Sequence, residues 1–532
     1  MKVRYYAFDH IPTLTSTPWE ADRHKRTSFS HPRRQLGRHH LPAPVFDQLP
    51  HEIYSRITGH LEATYTTGAA VDDSGRKQAL RTLCLISKRW AKAAIEHLYR
   101  NLVLPSSISI SLSQKRSRRF SVSRPKSQLD LLVRTLSEAP SLAFLIQRVH
   151  VSTSLARELT GENPSQRRSA HQLLRKVIET CTEVELVSGY SPPATKEHGE
   201  WFGLLFSCER LRAHAWMLDL DQTPIFNHGR FADMHDNWQH LETLALSRTN
   251  VSSTVMGPGI IATIANRLPS LRNLLISSFS NQDFHNGTLL SLKPLFSLRL
   301  ENLPGITDQG LKQLADSPNA SSLSSLSLIN LELTSLQTLQ KLLSNLTRLR
   351  RLRLIQNTSP TLLVGVGHTN KHNRLSSPSL EHLHWDTLLP GPATSALATS
   401  IAANSLPNLR TLKAPSDPEG ELQALCRPIH RRALSASDVE FLNRFDPDSC
   451  VRSLRLSRLQ AQLRVRESRR RPSVSVVVSD EGEQTLSTRV IGEYLGDVTS
   501  TIEYALEPDV EGKGEALASL RDVGMGRFGV LF

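Results

Sequence analysis

One short pattern, leucine-x-x-leucine-x-leucine, recurs from Leu211 to Ala414 and constrains the fold more than any other feature. It is clearest at Leu241-Leu244-Leu246, Leu271-Leu274-Ile276, Leu295-Leu298-Leu300 and Leu323-Leu326-Leu328. It continues at Leu349-Leu352-Leu354, Leu380-Leu383-Trp385 and Leu409-Leu412-Ala414. With a degenerate copy at Leu211, the first positions are separated by 30, 30, 24, 28, 26, 31 and 29 residues. The fourth and sixth places lie two apart, so on a strand both point to one face. Each strand is too short to bury that face alone, and successive units must stack into a solenoid. Between strands the chain has room for a helix, as in residues 310–315 and from Leu336 to Leu346. A large leucine-rich helical core would explain the leucines but not the recurrent strand-like triplet.

The spacing falls in or slightly above the leucine-rich-repeat range, which predicts an α/β solenoid. Weaker strands at Val149-His150-Val151, Val184-Glu185-Leu186 and Ala213-His214-Ala215-Trp216 extend the array backwards to about residue 129. The expected organisation is a disordered basic segment over 1–43, a helical segment over 44–104, a Ser/Arg-rich linker over 105–128, the solenoid over 129–430 and a small α+β C-terminal cap over 431–532. The cap combines an arginine-rich helix from Leu454 to Arg471 with alternating strands at Val474-Val476-Val478 and Ile502-Tyr504-Leu506, and would cover the last open edge.

Charge supports this division. The total is +14, yet residues 1–43, 115–126 and 452–471 together carry +18, leaving the rest at about −4. The repeat body is close to neutral, which argues against reading the basic total as a nucleic-acid footprint. The arginine-rich helix lacks the aromatic side chains that single-strand stacking uses. The five cysteines form no Cys-x-x-Cys pair and read as reduced thiols of an intracellular protein. Met1-Lys2-Val3-Arg4-Tyr5-Tyr6 opens no signal peptide, no apolar run reaches membrane-span length, and a cytoplasmic or nuclear location is expected. In the linker, Ser121 follows Lys115-Arg116-Ser117-Arg118-Arg119-Phe120; the stretch reads as a solvated basic loop or as an import or phosphorylation site.

Residues 44–104 have their own pattern. Leu49-Pro50-His51-Glu52-Ile53 opens a helix with Ile53, Ile57 and Leu61 on one stripe, Pro50 suiting its first turn. A polar stretch interrupts it over 62–78, and a second helix is expected from about Ala79 to His97, through Leu83 and Trp90. This segment resembles an F-box: the shared features are Leu49-Pro50 with Glu52-Ile53, the Ile57/Leu61 stripe, and Leu83-Cys84-Leu85-Ile86-Ser87-Lys88-Arg89-Trp90 ending at Leu98-Tyr99-Arg100. It departs from the family in the insert 62–78, which is usually a few residues. A two-helix piece buries little surface, so an exposed apolar stripe awaiting a partner is expected; a helical cap on the first strand, Asn101 to Leu104, is compatible with it. Further on, Leu303-Pro304-Gly305-Ile306-Thr307-Asp308-Gln309-Gly310-Leu311 resembles the strand-to-helix turn of F-box-type leucine-rich repeats, with Thr307 or Asp308 capping the helix. The run from Leu409 to Gly420, leading into Leu422-Gln423-Ala424-Leu425-Cys426-Arg427-Pro428, resembles one in fungal F-box proteins with leucine-rich repeats.

The resemblance implies a non-catalytic substrate receptor of an SCF-type cullin-RING ubiquitin ligase. Leu49, Pro50, Glu52, Ile53, Ile57, Leu61, Leu83 and Trp90 would meet the Skp-type adaptor, and the repeats would hold a protein substrate. No Walker loop, dinucleotide fingerprint, nucleophile elbow or zinc spacing occurs, and no cofactor is implied. Strand alternation places Arg299, Glu301, Arg351, Arg353, His382, His384, Asp386 and Lys413 on the concave face as candidate substrate contacts. His382, His384 and Asp386 would suit a metal by type, but a chain with 21 histidines yields such a trio by chance, and they read as polar positions of a repeat strand. The alternative function is a repeat scaffold that binds nucleic acid or an anionic partner without assembling a ligase.

Overall fold

Among the described residues, eleven strands pair side by side in chain order, all parallel, and a twelfth closes the row. The computed structural model describes residues 49–66, 73–105, 127–161, 163–190, 199–206, 208–218, 231–233, 235–248, 255–361, 374–387, 391–417, 420–427, 461, 474–479, 485–491, 496–497 and 499–505. The expected basic N-terminal segment, most of the Ser/Arg linker and the arginine-rich helix lie outside the described residues. The chain divides into two compact units, residues 1–98 with 468–493 and residues 99–467 with 494–532.

The second unit is the solenoid. Its strands are β1 Asn101–Leu104, β2 Arg148–Val151, β3 Leu186–Ser188, β4 Ala213–Leu218, β5 Thr243–Arg248, β6 Asn273–Ser277, β7 Ser297–Glu301, β8 Ser325–Ile329, β9 Arg351–Gln356, β10 His382–Thr387 and β11 Thr411–Lys413. The leucine triplets set the register. Leu244, Leu274, Leu298, Leu326, Leu352, Leu383 and Leu412 stand opposite one another across successive strands. Leu246, Ile276, Leu300, Leu328, Leu354 and Trp385 form a second row, and the leading leucines before each strand are buried with them. Helices close this core from the other side, among them α9 Ile260–Arg267, α10 Asn286–Leu290, α11 Asp308–Asp316, α12 Leu336–Asn345 and α13 Pro392–Ala402, whose Ile264, Leu289, Leu311, Leu339 and Leu397 are all at most 1 % exposed. Helices α4 Gln128–Glu138, α5 Pro140–Ala143, α6 Thr153–Thr160, α7 Pro164–Thr180 and α8 Gly199–Phe206 do the same for the earlier repeats.

The turns out of β6, β7 and β8 use the same device. Ser278, Asn302 and Asn330 occupy equivalent positions with φ of 62°, 51° and 49°. Left-handed backbone is costly for most residues, and a short polar side chain such as asparagine tolerates it best. Their N–H groups donate to Glu301, Ile329 and Ile355 carbonyls of the following strand, so the sheet ladder continues into the turn. Thr307 and Asp308, expected to cap α11, serve its neighbours instead. The Thr307 hydroxyl accepts from Asn286 Nδ2 at 2.8 Å, and the Asp308 carboxylate accepts from the N–H and hydroxyl of Thr334 at 3.0 and 2.9 Å. The terminal motif also acquires a cause: Gly420 is left-handed at φ 75°, and Asp417 accepts the N–H groups of Glu421, Leu422 and Gln423 at the start of α14 Glu421–Ala424.

The C-terminal segment supplies the expected edge strand, but its hairpin falls outside the solenoid's sheet. The hairpin β12 Val474–Ser479 with β13 Thr485–Ile491 is a separate antiparallel pair and falls in the first unit. The edge of the solenoid is covered by β14 Glu503–Tyr504, which pairs parallel with β11; Tyr504 donates its hydroxyl to the Ala414 carbonyl at 2.6 Å. A two-residue strand suffices because it inherits the neighbour's twist and satisfies the last free carbonyls.

Candidate functional site

In the first unit, α1 His51–Thr66, α2 Asp73–Cys84 and α3 Lys88–Arg100 account for the helical segment. The stretch read as a loop over 62–78 therefore contains the end of α1 and the start of α2, and the second helix expected from Ala79 to His97 is two helices broken at residues 85–87. The inward face of α1 is Tyr54 and Thr58, 2 % and 0 % exposed. Tyr54 packs edge-on to Trp90 of α3 with centroids 4.9 Å apart, His51 meets Glu96 at 3.1 Å, and His97 Nε2 bonds the Ser55 carbonyl at 3.1 Å. Trp90, half-buried, thus packs α3 against α1, and Leu83 is half-buried in α2.

With Tyr54 and Thr58 turned in, Ile53 and Ile57 are turned out, 39 % and 46 % exposed. Leu85 and Ile86, in the turn before α3, are 87 % and 60 % exposed. Arg89 Nη1 donates to the Leu49 carbonyl at 3.4 Å, so that turn lies at the same end of the unit as the start of α1. Pro50 and Glu52 are exposed there, while Leu49 and Leu61 are half-buried. Sequence periodicity pointed to Ile53 and Ile57 but not to Leu85 and Ile86, which only a helix break between Cys84 and Lys88 exposes.

On the solenoid, register orders the concave side chains into rows. One row runs Ala215, Ala245, Leu275, Arg299, Ser327, Arg353, His384, Lys413; the row nearer the strand starts runs Thr243, Asn273, Ser297, Ser325, Arg351, His382, Thr411. A small apolar cluster of Leu186, Ala215, Ala245 and Leu275 occupies the early strands. Burial divides the candidate residues. Arg299 and Glu301 are each 1 % exposed and bond one another at 3.2 Å. Burial pushes the Glu301 carboxyl above the usual range, against the opposing pull of Arg299 and Arg353. His384 lies 3.7 Å from Asp386, which is 0 % exposed and receives the Ser416 hydroxyl. Arg351 is exposed, and Arg353, His382 and Lys413 are half-buried. Burial first, then the charge of Arg351, lowers the pKa of His382, while Glu381 opposes and Arg410 adds to the lowering. The candidate set therefore splits into an interior polar layer and an open basic margin at the strand starts.

Among the described residues no group of three or more His, Cys, Asp or Glu side chains is placed to hold a metal ion, and no described helix is long and apolar enough to cross a membrane. No protein-family model and no curated protein matches the chain. Among solved structures, the complex of Rad7 and Elc1 from yeast is similar at 14 % identity, covering 75 % of this chain and 93 % of the other, with a TM-score of 0.36.

Proposed function

We propose that this chain is a non-catalytic receptor in which the helical unit docks a Skp-type adaptor of a cullin-RING ubiquitin ligase and the solenoid holds a protein substrate. The observation that supports it is the outward placement of Ile53 and Ile57 on α1, with Leu85 and Ile86 in the nearby turn. Four large apolar side chains at one end of so small a unit are more than scattered surface hydrophobes and suit an interface. The sequence resemblance to an F-box falls on the same residues. In this reading the protein supplies no acid, base or nucleophile, and works in the cytoplasm or nucleus by raising the effective concentration of substrate lysines near the loaded enzyme.

Co-expression with a Skp-type adaptor tests it. The wild-type chain should co-purify in a stable stoichiometric complex. Ile53→Asp, which puts a charge into a dry interface without touching Tyr54 or Thr58, should reduce recovery at least tenfold while the thermal transition stays in place. Undiminished recovery of the Ile53→Asp complex contradicts the assignment, and salt-sensitive retention on DNA or RNA in place of adaptor binding favours the scaffold reading.

A further inference from the structure

The residue just before each strand forms a row of its own. Glu185, Arg212, Glu242, Arg272, Phe296, Ser324, Arg350, Glu381 and Arg410 are linked in order, each N–H donating to the preceding residue's carbonyl in the adjacent repeat. In the early repeats the charges alternate and neutralise: Arg212 lies 3.5 Å from both Glu185 and Glu242. The alternation then fails. Phe296, 55 % exposed, stands where the other repeats put a charged or polar residue. Beyond it come Arg350, whose side chain is 66 % exposed and only 3.8 Å from a partner, Glu381, and then Arg410, also exposed. Arg351 and His382, the first concave side chains of β9 and β10, stand opposite each other beside this row.

We propose that this rim, from Phe296 through Arg350, Arg351 and His382 to Arg410, is a docking surface for an acidic protein segment that also carries an apolar side chain. Charge complementarity selects that occupant. Three arginines and a histidine share the patch with one carboxylate, Glu381, and Glu503 of β14 adjoins it only at the Arg410 end, leaving the patch net positive. Phe296 precedes β7 and Arg350 precedes β9, so two strand spacings, roughly 10 Å, separate the apolar contact from the cationic group. An extended segment spans that distance in about three residues. Arginine offers a fork matched to carboxylate or phosphate oxygens, and an aromatic at the edge of a charged patch supplies the desolvated anchor that charges alone lack. Arg299 and Glu301 cannot serve in this way, because they are buried and already bonded to each other.

This inference rests on reading the solenoid as a substrate receptor, but its test is independent of adaptor binding. The probe is a fluorescein-labelled peptide of alternating glutamate and leucine, compared with its lysine-leucine counterpart and a labelled DNA duplex, titrated against the full chain by anisotropy. The glutamate-leucine peptide should bind in a salt-sensitive manner and the lysine peptide should not. Arg351→Glu with Arg410→Glu should weaken binding at least tenfold, and Phe296→Ala about fivefold. Glu381→Gln should strengthen it about threefold, a gain that a damaged fold would not produce. Equal affinity for both peptides, preference for DNA, or indifference to all these variants would overturn the proposal. Loss of adaptor capture by Ile53→Asp with peptide binding intact, or the reverse, separates this surface from the adaptor reading.

Discussion

His214 sits where the repeat calls for leucine. It stands opposite Leu244 in the core-facing row, and both ring nitrogens are buried without a hydrogen-bond partner among the described residues. Its neighbours are the faces and edges of Trp216 and Trp238, with centroids 4.6 and 5.3 Å away. His235 is in the same cluster but is satisfied: Nδ1 donates to the Phe231 carbonyl at 2.7 Å, and Nε2 accepts from Trp216 Nε1 at 3.0 Å. Burial pushes His214 down to about 3 and His235 down to about 4. Both are therefore neutral in the folded chain, while the unfolded chain takes up their protons below about pH 6.5. Stability is full above that pH and is lost as pH falls from 6.5 towards 4 and 3, by about 2 kcal/mol per histidine between pH 7.5 and 5. His214→Leu should stabilise the solenoid by about 1–2 kcal/mol at pH 7.5, since it removes an unpaired polar group at nearly constant volume. Urea unfolding at both pH values should show the acid loss reduced by about 2 kcal/mol in the variant; an unchanged pH dependence would mean that His214 is not the proton acceptor.

At the scale of elements, contacts between repeats hold α10 and α11 in step. Asn286 at the start of α10 accepts the Thr307 N–H at 3.1 Å and donates to its hydroxyl, locking α10 to α11. A Cβ on Gly310 would lie 1.9 Å from Asn286 Oδ1 and 2.3 Å from its Cγ. Gly310→Ala should thus destabilise by about 2 kcal/mol, because the clash expels the clamping side chain. Gly203 in α8 meets nothing among the described residues within 4 Å at its Cβ position. There Gly→Ala should stabilise by about 0.5–1 kcal/mol through helix propensity alone. Chemical denaturation of both variants checks the sign: a negative effect at both positions would mean that propensity and packing have been misassigned. Asp283 ties the end of β5 and the loop before α9 to the next repeat in the same way. Arg248 meets Asp283 at 3.3 Å, and Asp283 also accepts the Met256 and Gly257 N–H groups. Asp283→Ala should cost about 3–5 kcal/mol, since it removes the carboxylate that a buried guanidinium and two amides bond.

The whole solenoid depends on how its open ends are closed, because each repeat is stabilised by its neighbours alone. At the C-terminal end the twelfth strand bonds β11 through Glu503 N to the Arg410 carbonyl at 2.7 Å and Ala505 N to the Leu412 carbonyl at 2.8 Å. Ending the chain after Ser500 should expose that edge. Hydrogen exchange should accelerate by one to two orders of magnitude in β10 and β11 and stay unchanged in β5 to β8, with a greater tendency to self-associate. Uniform acceleration along the array would show instead that the repeats unfold as one block.

The sequence by itself determined the periodic half of this protein. A leucine two places from another leucine must share its face on a strand, so the triplets alone specified the strands, their parallel stacking and the residues that line the core. The outward stripe of Ile53 and Ile57 was legible for the same reason, being a matter of helical spacing. The tertiary structure decided what spacing cannot encode. Arg299, Glu301 and Asp386 read as solvated positions because alternation assigns them to the face away from the core, yet burial on that face depends on groups brought close by the fold rather than by neighbours in sequence. The break that exposes Leu85 and Ile86 and the service of Thr307 and Asp308 to adjacent repeats are likewise matters of residues distant in the chain. The rim of Phe296, Arg350 and Arg410 became visible only when parallel register brought together single residues from separate repeats, each unremarkable in its own segment.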